Sequence, residues 1–122
     1  MWANDRASRG LGMTLIDVGP GTALVSMEIR ADLVNGHDIG HGGLVATLAD
    51  TAFAVACNSR GRMTVAAGFT IDFLEPVRRG DLLLAEAREL ALRGRSGIYD
   101  VTVRRGEVAV AELRGRSRAL AR

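Results

Sequence analysis

The chain is 122 residues long, 48% hydrophobic and 25% charged, with a formal net charge of +2. That composition excludes a disordered or membranous chain, and the length suits one domain whose core needs no disulfide staples. All sixteen basic residues are arginine, scattered among acidic ones, and there are only five aromatic side chains. Nucleic-acid binding would need a basic stripe with stacking partners, which this pattern lacks. A small polyanion, such as a nucleotide-bearing molecule, suits the mild basicity better. The single Cys57 excludes an intramolecular disulfide and fits a reducing compartment. "MWANDRASRG" leads into no apolar stretch of the secretory kind. The expectation is a cytoplasmic protein with one domain over 1–122, in which residues 1–10 form a loose arm or a short helix.

In chain order, an apolar run from Met13 to Val18 meets a turn signal at "GPG" (19–21). Val25, Met27 and Ile29 then alternate with polar neighbours at the period of a half-buried strand, so the two runs read as a hairpin. A polar, glycine-rich connection, "ADLVNGHDIGHGG", leads into Leu44–Cys57, "LVATLADTAFAVAC". At fourteen residues this stretch is too short to span a bilayer and has the length of a buried helix. "NSRGR" ends it. A long strand from about Met63 to Leu74 follows, with Phe69, Ile71 and Phe73 on one face. "EPVRRGD" is a loop, because Pro76 cannot serve a central ladder. Leu82–Leu90, Gly97–Arg104 and Val108–Ser117 complete the set, the last two joined by a tight turn at "RRGE". The middle one turns Tyr99, Val101 and Val103 inward. The result is an α+β architecture, an antiparallel sheet wrapped around one apolar helix. One sheet cannot cover a helix that is apolar nearly all round, so self-association is expected.

The helix carries one charge, Asp50, and an unpartnered carboxylate in a core is costly. It is either a buried Asp satisfied by Thr47 or Thr51, or a nucleophile or base for acyl transfer. Gly42 and Gly43 open the helix with backbone N–H groups left unpaired. Such a helix start either packs closely or holds a developing oxyanion with help from the helix dipole. Gly42 and Asp50 stand about 12 Å apart along one helix, at 1.5 Å per residue. One copy cannot serve one carbonyl with both. Two antiparallel copies can, which makes any such site shared across a two-fold dimer. His37 and His41 lack a third ligand at metal spacing, and no G-x-S-x-G elbow accompanies them. His41 and Asn35 either position a carbonyl and water or fix the loop.

"NGHDIGHGGLVATLADTAFAVACNSRG", "TIDFLEPVRRGDLLLAEA" and "GRSGIYDVTV" together resemble the phenylacetate-catabolism (PaaI-type) acyl-CoA thioesterases of the hotdog superfamily, from about Leu11 to Arg118. The resemblance implies a hotdog fold, five to six antiparallel strands around a central helix. It implies a homodimer as the minimal active unit, commonly paired into a homotetramer. It also implies hydrolysis of an acyl-CoA to a free acid and coenzyme A, with no cofactor beyond the CoA of the substrate. Asp50 matches the family's catalytic carboxylate, Gly42 the polarising backbone N–H, and Asn35 and His41 the groups that orient carbonyl and water. Gly43 stands beside that donor. Coenzyme A needs cations for its phosphates, and Arg78, Arg79, Arg93, Arg95 and Ser96 are the candidates. Phe53, Leu11 and Met13 are candidates to line an apolar acyl pocket. A hotdog dehydratase or hydratase, and a non-enzymatic acyl-CoA-binding module, are the competing readings.

Overall fold

The computed structural model of the chain describes residues 2–120. A 3₁₀ turn at Trp2–Asn4 precedes α1 (Arg6–Gly10), whose first turn is capped by the Asp5 carboxylate accepting from Ser8 N–H at 3.0 Å. The sheet strands are β1 (Thr14–Gly19), β2 (Thr22–Glu28), β3 (Thr64–Phe73), β4 (Leu82–Arg93), β5 (Ser96–Arg105) and β6 (Val108–Ala119). Between β2 and β3 runs α2 (Gly42–Cys57), which begins two residues before the apolar run does.

The six strands form one antiparallel sheet in the order β1-β2-β4-β5-β6-β3. α2 thus carries the chain from the interior to the far edge, so β3 is an edge strand beside β6. The inner sheet face follows the period of two: Val25 and Met27, Leu83 and Ala85, Tyr99, Val101 and Val103, and Ala111 and Leu113 are all buried. Against them α2 packs Val45, Leu48, Ala49, Ala52, Phe53 and Ala56. Gly115 of β6 makes room for the largest of these, because a Cβ there would stand 2.6 Å from the Phe53 ring.

Phe69, Ile71 and Phe73 do share a face, since they pair with Gly115, Leu113 and Ala111. Yet Phe69 and Phe73 remain 40% and 52% exposed, because an edge strand overhangs the helix. One stripe of α2, running through Gly43, Ala46, Thr47, Asp50 and Ala54 at helical spacing, also stays uncovered by the sheet. Edge strand and bare stripe together form the part of this face that the sheet leaves uncovered. No helix among the described residues is long and apolar enough to cross a membrane.

Candidate active site

The loop before α2 is built by its own polar groups. Asn35 Oδ1 accepts from the N–H of His37 at 2.9 Å and of Ile39 at 3.2 Å, while Asn35 N–H donates to the Ile39 carbonyl. That closes a tight turn and leaves the Asn35 Nδ2 hydrogens without a partner among the described residues. Gly40 N–H then donates to the Val77 carbonyl at 2.7 Å. A Cβ on Gly40 would collide with Val77 Cγ2, so only glycine allows this approach. The contact ties the loop to the "EPVRRGD" segment.

His41 is the residue that precedes the first helical position, in extended conformation (φ −62°, ψ 127°), and its side chain caps nothing. Its carbonyl accepts from the N–H groups of Leu44 and Val45, whereas the N–H groups of Gly42 and Gly43 have no backbone partner. The helix therefore starts with two unspent donors at its positive end. Beside them lies a cavity of about 340 Å³ walled by Val45, Phe73, Val77 and Val110, with Asn35 and Gly42 also on its lining. Phe73 closes over Gly42, where an added Cβ would meet its ring at 3.4 Å.

Asp50 does not reach this cavity. Neither threonine satisfies it. Thr47 Oγ1 donates to the Gly43 carbonyl at 2.8 Å; Thr51 Oγ1 donates to the Thr47 carbonyl at 2.8 Å and meets Ser8 Oγ at 3.1 Å. The Asp50 carboxylate thus has no hydrogen-bond partner among the described residues, and it stands half-buried on the bare stripe. Burial pushes its pKa above the ordinary aspartate value. A carboxylate held this way is a stronger base than a solvated one.

The remaining candidates separate. Phe53 is fully buried against Tyr99, ring centroids 5.6 Å apart, and is a core residue with no face toward a cavity; Phe73 takes the lining place. Its interior position follows from the space at Gly115, which the sequence pattern does not announce. Met13 is buried and Leu11 packs on the core. His41 is exposed and lies off the cavity lining. Arg78 and Arg79 sit at the Gly42 end, where Arg78 bridges to Ile39 and Arg79 lies 3.6 Å from the Asp38 carboxylate. Arg95 and Ser96 sit at the other end of the sheet. Phe73 pairs with Ala111 and Ser96 with Arg118, seven residues further along β6, about 23 Å at 3.3 Å per residue. Cys57 is buried, and that burial raises its thiol pKa to about 11, which fits a core residue. Among the described residues, no three His, Cys, Asp or Glu side chains cluster as metal ligands would.

Comparison with known proteins adds to this geometry. Residues 37–112, from the Asn35 turn into the first half of β6, match the thioesterase superfamily model. The chain belongs to the thioesterase superfamily. It is 43% identical over 118 residues to the acyl-coenzyme A thioesterase PaaI of Escherichia coli K12, covering 96% of this chain and 84% of that one. The solved structure of the E. coli PaaI protein from the phenylacetic acid degradation operon superposes with a TM-score of 0.97 at 41% identity, covering 99% and 88% of the two chains. A mutant of the phenylacetic acid degradation protein PaaI from Thermus thermophilus gives a TM-score of 0.92 at 36% identity, covering 95% and 100%. The fold is the hotdog fold of this superfamily, and the chain is a thioester hydrolase.

Proposed function

We propose that the protein hydrolyses acyl-CoA thioesters with an aryl or medium-chain acyl group, phenylacetyl- and hydroxyphenylacetyl-CoA foremost. The active unit is an antiparallel homodimer, itself paired into a tetramer in the cytoplasm. The observation that carries this reading is the pair of unspent groups on one helix: donors at Gly42 and a lone carboxylate at Asp50, about 12 Å away along the axis. Each needs a partner that its own protomer does not supply.

The acyl group enters the apolar cavity beside Gly42, whose 340 Å³ suits a ring or short chain. Gly42 N–H, backed by the helix dipole, and the free Asn35 Nδ2 hydrogens hold the thioester carbonyl. Asp50 of the second protomer takes a proton from a water molecule, and the water oxygen attacks the carbonyl carbon. The oxyanion that forms is stabilised by the same donors, which are worth most where charge develops. Collapse breaks the C–S bond, and the thiolate of coenzyme A leaves and takes up the proton. The products are the free acid and CoA, and the chemistry draws on no cofactor.

The ends of the sheet divide the CoA contacts. Arg78 and Arg79 flank the site that their own Gly42 completes. Arg95 and Ser96, at the Cys57 end of α2, flank the site that their own Asp50 completes. His41 is exposed and bonds nothing near Asp50, which disfavours a dehydratase that needs a His–carboxylate pair. A pure binding module has no use for the unpartnered carboxylate.

Mixed dimers test the shared site. Gly42 is the first helical position, where the backbone accepts proline and loses the N–H, the added Cβ meets the Phe73 ring at an ordinary contact distance of 3.4 Å, and His41 already has the extended geometry a following proline requires. Asp50→Asn and Gly42→Pro chains should each be inactive alone. Co-refolded in equal amounts, they should regain about a quarter of wild-type thiol release, because half the dimers are mixed and half their sites intact. No recovery in verified mixed dimers would sink the shared site. No hydrolysis of any acyl-CoA by folded wild type would sink the substrate assignment.

A further inference from the structure

The cavity beside Gly42 is walled mostly by apolar groups, and among its lining residues Glu75 alone carries a formal charge. No guanidinium lies within 4.0 Å of the Glu75 carboxylate among the described residues. Two cations on the neighbouring segments go elsewhere. Arg79 faces Asp38 at 3.6 Å, and Arg105 reaches Asp81 and the Pro76 carbonyl, each at 3.1 Å.

The backbone fixes where this charge stands. The chain leaves β3 at Phe73, and the N–H groups of Leu74 and Glu75 both donate to the Val110 carbonyl, at 2.8 and 3.3 Å. Glu75 is therefore held at the Val110 wall, and being exposed it sits on the rim of the cavity. On the other side, a Cβ added to Gly42 would meet Cζ, the tip of the Phe73 ring. The Phe73 side chain thus separates the Glu75 backbone from the Gly42 donor. Coenzyme A is a polyanion, so a carboxylate along its path would weaken binding. Facing the acyl group instead, the same carboxylate tolerates a neutral ring and repels an anionic one.

We propose that Glu75 is a specificity-determining residue, which turns away acyl groups that end in a carboxylate, such as CoA mono-thioesters of dicarboxylic acids. The assignment rests on the thioesterase reading above, with the acyl group in the cavity beside Gly42. The apolar wall of Val45, Val77 and Val110 disfavours a charge of either sign. Glu75 gives the rejection its sign.

The test compares 4-nitrophenylacetyl-CoA with 4-carboxyphenylacetyl-CoA, which match in shape and differ by one negative charge. Because both carry the same CoA, their ratio of kcat/KM reads the acyl end alone. Wild type should favour the nitro compound. Glu75→Gln should narrow that gap about tenfold, the effect of one like charge a few ångströms away, and Glu75→Arg should narrow it further. The change should fall on KM, because the charge lies away from the reacting carbon. Asp17→Asn, the same charge change on the opposite edge of the sheet, should leave the ratio as it is. A gap that survives Glu75→Gln, or one that Asp17→Asn narrows equally, would overturn the assignment, as would equal hydrolysis of the two compounds by wild type. If folded wild type hydrolyses neither these nor phenylacetyl-CoA, the aryl-CoA reading itself fails and takes this assignment with it.

Discussion

The two ends of α2 are finished in opposite ways. At the C-terminal end the Asn58 N–H and Nδ2 both donate to the Ala54 carbonyl, Nδ2 also reaches the Thr64 carbonyl, and the Ser59 hydroxyl donates to the Ala56 carbonyl at 2.6 Å. Side chains thus cap the Ala54 and Ala56 carbonyls of the last turn. At the N-terminal end the residue before the helix contributes no side-chain cap, and two glycines leave their N–H groups bare, Gly42 on the lining of a cavity. A Ser, Thr or Asp cap would stabilise this end by about 1 kcal/mol, yet it would occupy the donors. Where one end of a helix is capped by side chains and the other is left bare, the bare end is the one free to bind.

The sharpest way to break that contrast is to remove the proposed base. Asp50→Asn should lower kcat by about 10² to 10⁴, the range for general-base catalysis, while the oligomer measured by light scattering stays unchanged. Unfolding of this variant would make Asp50 structural after all. Gly42→Pro should lower kcat by about 10² to 10³, as the loss of one oxyanion donor does, with the helical circular dichroism signal retained. An undiminished rate would put the carbonyl elsewhere.

Two further expectations concern stability. Phe53→Ala, behind the stripe that carries Asp50, should cost about 3–5 kcal/mol in denaturant unfolding, because it empties the space against Tyr99 and Gly115. The effect of Asp50 itself is smaller and depends on pH. Its folded pKa is raised, so the native state holds the proton more tightly than the unfolded chain does. The stability this contributes is fully present below the unfolded value of about 3.9 and is lost as pH rises through the folded value. Asp50→Asn should therefore melt with the wild type at acid pH and above it at neutral pH. The same shift moves the acid limb of the wild-type kcat/KM profile above the ordinary aspartate range. A variant less stable at neutral pH would mean that Asp50 has a stabilising partner.

Most of this is legible along the chain because the signals are local. Alternation marks the strands, a small-residue apolar run marks α2, and the "HGG" before it marks a helix start with open N–H groups. Asp50 stands out as the one charge in that run. What misleads is of another kind. Phe53 reads as well for a pocket as for a core, and only the neighbouring Gly115, sixty-two residues away in sequence, decides between them. Phe73 reads as one of a strand face shared with Phe69 and Ile71, but the edge position of β3 exposes it and puts it over Gly42. Thr47 and Thr51 read as partners for Asp50, yet both hydroxyls turn back to the helix carbonyls, as threonines in helices commonly do.

By itself, then, the sequence determined the fold class, the number and period of the elements, and the two groups proposed to carry the chemistry. Each follows from residue type and spacing within a dozen positions. The tertiary structure decided the strand order that sends β3 to the edge, the apolar cavity beside Gly42, the separation of Arg78 and Arg79 from Arg95 and Ser96, and the lone state of the Asp50 carboxylate. These depend on contacts between residues far apart in the chain, where pairing, packing and burial fix what spacing along one helix or strand cannot.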